Sequence, residues 1–504
     1  MNARRVVCGS FLVGTLLLGQ SCMNLDSEVY DQASADNFPS TQAELNAVIG
    51  SAYAGLRGYN GDVFNLQEVT SDEVVVPTRG PDWFDDGAWQ NMARHSWTPV
   101  NPGAINGAWS FCYSGIANVN LNLTNLQGST TPGIETTIAE LRSIRAFYYY
   151  LLIDMFGRVP LITETSPSGS PEQVSRQEIF TFVENELKAA IPNLPNGAGG
   201  ANYGRFTRGA GNALLAKLYL NAAVYTGTAR WADALAATDA VINSGLYGLV
   251  TNFFDNFAVQ NDRNGSSREV LMAIPYDKVL AGGMNFHMRI LHYAQQSSFQ
   301  LPSNPWNGFC SYADFYNKFS TGDARKAMWL EGPQRGPDGQ VIVYQDAVDG
   351  QQRELNYTPE ISALTRALQN QGVRPAKFQI QVNNNVNDQD NDFPLFRYAD
   401  VLLMKAEALV RLGRAGEALP LVNQVRSRAN LPNLTAAQMT LAELLNERGR
   451  ELAFEGWRRS DQIRFGTFNQ TWQFKTTTDP KYNIFPIPAQ QLSANSELDQ
   501  NPGY

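Results

Sequence analysis

The strongest constraint on how this chain can fold is an apolar stripe that repeats across residues 398–429. Leu402, Ala406 and Leu409 fall at i, i+4 and i+7, flanked by Val401, Ala408 and Leu412. Gly413 interrupts the run, and Ala415, Ala418, Leu419 and Val422 resume it. A 3.6-residue period rich in small alanines predicts two helices whose backbones approach closely. The same reasoning pairs 134–155 with 177–191, and 209–225 with 231–244. A first helix, ending at Leu56, opens on Thr41 and Glu44, which have capping-box spacing, and pairs with 104–126. Ser175 with Glu178, and Thr440 with Glu443, repeat that spacing.

Unequal insertions separate these pairs, so no fixed period exists. The fold class expected is mainly α: a degenerate, tetratricopeptide-like helix-pair scaffold rather than a regular solenoid. Two loop-rich insertions lie between the pairs, at 63–102 and 251–394. The second carries short β-type pieces at 270–274 and 341–344. Long irregular segments held by a rigid frame are where binding groups are expected.

The N-terminus reads as an export leader. Arg4 and Arg5 precede an apolar run from Val6 to Leu18, and Gly19-Gln20-Ser21 leads to Cys22. The run is about a dozen residues, the length of a signal-peptide core and short of a membrane span. A cysteine at that cleavage point is the pattern of a bacterial lipoprotein. The expected organisation is a leader at 1–21, a lipidated flexible tether at 22–40 with lipid on Cys22, and one domain at 41–504. An ordinary secretory signal with a coincidental cysteine is the alternative.

The chain has 504 residues and a net charge of -9, spread along its length, which leaves no basic stripe for nucleic acid. Of its four cysteines, Cys112 and Cys310 remain beyond Cys22, either paired or as buried free thiols. No CxxC or zinc spacing occurs.

A further set of local matches runs in order along the chain: Cys22 with Leu25-Asp26, RAFYYY at 145–150, FGRVPL at 156–161, ALLA at 213–216 with Tyr219-Leu220, and NSGLY at 243–247. RYADVLLM at 397–404, EAL at 407–409, NERGREL at 446–452, EGWRR at 455–459, FPIP at 485–488 and QNPGY at 500–504 complete it. In this ordered set the chain resembles the SusD/RagB family of outer-membrane nutrient-binding lipoproteins. The resemblance implies a surface-exposed, lipid-anchored protein of the outer membrane that captures oligosaccharide or polysaccharide. It would serve as a hinged lid on a TonB-dependent, SusC-like transporter, with helices facing the barrel and loops facing the ligand. It also implies no catalysis and no cofactor. A peptide cargo, as in RagB-like members, is the rival within the family. A lipid-anchored glycoside hydrolase and a scaffold with only protein partners are the rivals outside it.

A neutral glycan offers C–H faces and a fringe of hydroxyls, so its site needs flat rings and fixed polar groups. The loop Thr78 to Gly87 supplies Trp83 beside Arg79 and Asp82, and the turn-prone 303–308 segment supplies Trp306. These four, with Tyr293, are the candidate ligand-binding residues; Tyr312 is weaker. The alternative is that Trp83 anchors its loop from inside. Trp89, Trp97, Trp109 and His95 read as core. Asp72-Glu73 and Asp85-Asp86 have the composition of a glycosidase pair, but caps and ion pairs use the same residues. The hard oxygens of 383–392 are of a kind that holds Ca2+, yet the segment lacks the glycine and terminal glutamate of an EF-hand loop, and a solvated loop is the alternative. Arg448, Glu451, Glu455 and Arg459 share one predicted helix face, either as a partner contact or as an ion-paired buttress.

Overall fold

The computed structural model describes residues 39, 41–167, 169–197 and 199–504. Cys22, the leader and nearly all of the tether lie outside them. Helix Gln42–Gly55 begins as its capping box requires: Thr41 Oγ1 accepts the Glu44 N–H at 3.2 Å, and the Glu44 carboxylate accepts the Thr41 N–H at 3.0 Å. Ser175 and Glu178 cap Arg176–Ala190 in the same reciprocal way. Thr440 caps Leu441–Leu452 through the Glu443 N–H, but the Glu443 carboxylate turns to Arg450 at 2.6 Å instead.

The predicted helix pairs form. Ile134–Met155 packs on Arg176–Ala190, Arg208–Leu220 on Trp231–Ile242, and Tyr398–Arg411 on Ala415–Arg428. Helix Gln42–Gly55 meets Ala104–Asn125, and both pack on Ile134–Met155. Gly115 sets that last approach: a Cβ there would lie 2.1 Å from the Tyr148 ring. One buried apolar cluster runs from Leu45 to Leu498 and gathers helices and insertions alike.

Among the described residues every sheet has two strands, and none closes into a barrel. The longest ladder pairs Val270–Ile274 antiparallel with Phe393–Arg397, all of them buried. A shorter one, Val74–Val75 against Cys310–Ser311, joins the two insertions. No helix among the described residues is long and apolar enough to cross a membrane. Cys112 and Cys310 are both buried and free, so the pairing alternative is not realised.

The 441–465 region corrects one expectation. It is not a single helix: Leu441–Leu452 stops, Phe454 (φ 60°) and Gly456 (φ 81°) turn the chain, and Arg458–Phe465 begins anew. Arg448, Glu451, Glu455 and Arg459 are all buried and ion-paired rather than presented to a partner. Arg448 reaches Asp400 at 2.9 Å and Asp461 at 2.8 Å, and Arg459 reaches Asp154 at 2.9 Å. Glu451 accepts Arg325, Arg397 and Arg428, while Arg397 also holds Glu269 and Glu455. Buried charges persist only when paired and hydrogen-bonded in this way.

Candidate ligand-binding site

Two irregular segments build the site. In the first, the Arg79 and Asp82 backbones exchange hydrogen bonds across a tight turn. The chain then coils through left-handed backbone at Trp83, Asp85, Asp86 and Gly87. A bulky residue at φ 62°, as Trp83 is, persists only where its surroundings hold it. They do: the Trp83 indole N–H donates to the Trp306 carbonyl at 2.5 Å. In the second segment, the Trp306 N–H donates to the Met288 carbonyl at 2.6 Å, and Gly308 N–H to that of Arg289 at 2.8 Å. The ladder at 74–75 and 310–311 sets the two segments side by side.

Rings accumulate where they meet. Trp83 stands edge-on to Trp89 (centroids 5.4 Å) and to Phe309 (5.9 Å). Trp89 in turn donates its indole N–H to Asp85 at 2.6 Å. Gly308 permits this packing, since a Cβ there would come within 2.4 Å of the Trp83 ring. The Tyr293 hydroxyl donates to Asp82 Oδ2 at 2.5 Å. Asp82, Trp83, Asp85, Tyr293 and Trp306 line a surface recess of about 310 Å³. A larger recess of about 600 Å³ shares Asp82 and Tyr293 with it and adds Gln296, Asn304, Tyr344 and Gln369. Burial first, and the bond to Asp82 second, push the Tyr293 hydroxyl well up, so it stays a donor. Burial, followed by the charge of Arg374, holds His292 in the larger recess down to about 3, so its ring is neutral near pH 7.

Four of the five predicted residues thus converge on one recess: Asp82, Trp83, Tyr293 and Trp306. Arg79 does not. It is fully buried behind the turn, with its guanidinium donating to the carbonyls of Leu368 and of Gln371 (2.7 Å) and to Cys310 Sγ (3.3 Å). Burial holds it down to about 10, with Arg374 adding to the effect. Its partners come from 310 and 368–371, far along the chain, which is why the loop sequence suggested an exposed cation. Tyr312 is buried away from the recess, and Trp97 and Trp109 are core. His95 is buried too, its Nε2 2.7 Å from the Thr70 carbonyl. Trp89, read as core, is half-buried and braces Trp83. Gly308, Asn304 and Gln369 were not singled out; the turn-prone composition around Trp306 was the available signal for the first two.

The acidic groups are otherwise engaged. Asp72 is bidentate to Arg458 at 2.6 and 2.9 Å, and Glu73 is buried. In the 383–392 segment, Asp390 accepts the Lys278 N–H at 3.0 Å and Asp392 the Tyr276 N–H at 2.7 Å. Among the described residues no group of three or more His, Cys, Asp or Glu is arranged to hold a metal ion.

Known proteins share this architecture. Residues 268–504 match the family model described as "SusD family", and residues 25–220 the one described as "Starch-binding associating with outer membrane". The chain belongs to the SusD family. The starch-binding protein SusD of Bacteroides thetaiotaomicron is 29% identical over 494 residues, covering 89% of this chain and 86% of that protein. The SusD-like protein P38 of Formosa agariphila is 25% identical over 511 residues, covering 95% of each. A solved laminarin-binding SusD-like protein superposes with a TM-score of 0.74 at 25% identity, covering 92% of this chain and all of the other.

Proposed function

We propose that this SusD-like protein binds neutral glycan at the cell surface without altering it, and delivers it to a SusC-like TonB-dependent transporter while tethered by lipid on Cys22. The observation that carries the reading is the convergence of Trp83, Trp306, Tyr293 and Asp82 on one surface recess. Rings cover the C–H faces of a sugar, and the carboxyl, hydroxyl and amide groups of the two adjoining recesses orient its hydroxyls. Starch and laminarin, the ligands named for two of its relatives, are both neutral polymers of glucose, which suits this chemistry. Similarity to the family described as associating with the outer membrane, and the leader-like pattern at 1–21 just before Cys22, support a barrel partner and outer-leaflet placement.

The test is calorimetric titration of the purified protein with maltooligosaccharides and laminarioligosaccharides, alongside Trp306→Ala. Saturable binding that Trp306→Ala weakens supports the reading. Binding of peptides but of neither saccharide series refutes it in favour of a RagB-like cargo. Release of reducing ends from either polymer refutes the non-catalytic part. Co-purification with a barrel transporter from outer membranes tests the partner.

A further inference from the structure

Among the described residues a single aromatic ring is exposed, and it sits in the coil that builds the aromatic recess. That ring is Phe84, at 52% exposure. Its chain neighbours Trp83 and Asp85 both line the smaller recess, but Phe84 itself does not. It therefore stands at the rim, one residue's span from the wall. The two recesses meet at Asp82 and Tyr293, and neither Trp83 nor Asp85 lines the larger one. Phe84 thus extends the site from the part that the larger recess does not reach.

Isolated apolar residues on a surface are ordinary. Phe84 differs because the backbone around it is fixed at a cost. Trp83 (φ 62°), Asp85 (φ 42°) and Asp86 (φ 51°) adopt left-handed backbone, which side chains disfavour, while Phe84 between them is right-handed (φ -80°, ψ -51°). Strain of this kind persists only where the surroundings hold it, and it gathers at ligand sites. Here the hold is visible. The Thr78 hydroxyl donates to the Trp83 carbonyl at 3.2 Å, the Gly87 N–H to the Phe84 carbonyl at 2.7 Å, the Trp89 indole to Asp85 at 2.6 Å and the Asn101 amide to the Asp86 carbonyl at 2.9 Å. Trp83, Trp89 and Trp306 each rest part of their rings on the core. Phe84 is left facing water, on a backbone pinned at both sides.

We propose that Phe84 is an outlying sugar platform. It stacks on a unit of the glycan that lies beyond the recess, and so makes the site favour long chains over short ones. The inference rests on the glycan reading of the recess. At about 310 Å³ the smaller recess is at the lower end for small-molecule sites, so a polymer seated there continues past its rim. A phenyl face offers the C–H side of a pyranose the same apolar contact as the indoles, without a polar group to dictate the hydroxyl pattern it meets. Phe84 adds a preference for length and leaves the choice of sugar to Asp82, Tyr293 and the amides of the larger recess.

The test compares maltotriose with maltoheptaose, and laminaritriose with laminarihexaose, in the purified wild type, Phe84→Ala, Phe84→Trp and Trp306→Ala. Calorimetry reads the long chains and ligand-observed NMR titration the short ones. Phe84→Ala is expected to weaken the long member of the bound series by about threefold or more, the scale of one stacked ring, and to leave the short member unchanged. Phe84→Trp keeps a platform and should keep or strengthen long-chain binding. Trp306→Ala should weaken both lengths. The proposal is overturned if Phe84→Ala binds the long chain as tightly as the wild type, or if it loses long and short chains alike. A wild type that binds no member of either series refutes the glycan reading itself and the platform with it, a result distinct from unchanged binding in Phe84→Ala.

Discussion

Trp83 donates its indole N–H to the main-chain carbonyl of Trp306, so each tryptophan of the recess holds the other's loop in place. The rings come from segments more than two hundred residues apart, yet they act as one unit. Trp306→Ala should therefore lower affinity for oligosaccharide by at least tenfold, in line with losses of about 2 kcal/mol for buried aromatic anchors. Trp83→Phe keeps a ring but removes the donor, and should weaken binding less. Calorimetry gives the affinities and circular dichroism checks that the fold is kept. Equal affinity in both variants and wild type would rule the recess out as the binding surface.

Gly308→Ala probes the same unit from behind. The added methyl would press on the Trp83 ring, which cannot yield without leaving its place between Trp89 and Phe309. Binding should fall without loss of any ligand-contacting group, and a change in tryptophan fluorescence should accompany it. Unchanged fluorescence and affinity would mean that the ring has room to move.

These contacts mark what a sequence can and cannot convey. The helix pairs were legible because a 3.6-residue stripe is local and Thr41–Glu44 and Ser175–Glu178 cap within one turn. That Trp83 and Trp306 border a surface recess was legible because bulky indoles inside turn-prone polar stretches are seldom wholly buried. Arg79 was misjudged because its carbonyl partners at Leu368 and Gln371 are set by tertiary folding, which no spacing in the loop encodes. The break at Phe454 was hidden for a related reason. Its left-handed backbone is held by the Glu73 carboxylate, which accepts its N–H from across the fold.

The Glu68 and Glu73 carboxyls bear on pH dependence. Each accepts a backbone N–H of the 453–457 turn, from Gly456 and Phe454 respectively, and the two carboxyls also hydrogen-bond each other. Burial foremost holds Glu68 up at about 7, and burial together with Glu68 raises Glu73. A carboxyl raised in the folded state contributes stability that is complete below about 4.5 and is lost as pH rises through about 7. The melting temperature should therefore decline between pH 5 and pH 8, and Glu68→Gln, which mimics the protonated acid, should flatten that decline. An identical slope in the variant would show that this pair does not control it.

The opposite limb belongs to the arginine network. Arg325 and its neighbours outweigh burial and lower Glu447 to about 2, so its contribution is present above about 4.5 and disappears as pH falls through 2. Glu451, which accepts Arg325, Arg397 and Arg428, is the more sensitive position. Glu451→Gln would leave guanidinium groups buried without full compensation, at a cost of about 3–5 kcal/mol. Chemical denaturation should show that loss; a change below about 1 kcal/mol would mean that water or a rearranged partner takes its place.

Cys22→Ala removes the proposed site of lipid attachment. The variant should move from the membrane fraction to the soluble periplasmic or medium fraction while keeping wild-type affinity for saccharide. Retention in the membrane would point to a different anchor or to tight hold by a partner.

The arginine network and the aromatic recess draw on different parts of the chain. The bonds that keep the molecule intact against heat or acid are concentrated in 397–465, while the recess rests mainly on 80–86 and 303–308. Appetite and endurance are thus separable traits in this molecule. A lineage could retune what it gathers by exchanging a dozen or so residues on two protruding strips, and inherit an unchanged chassis each time.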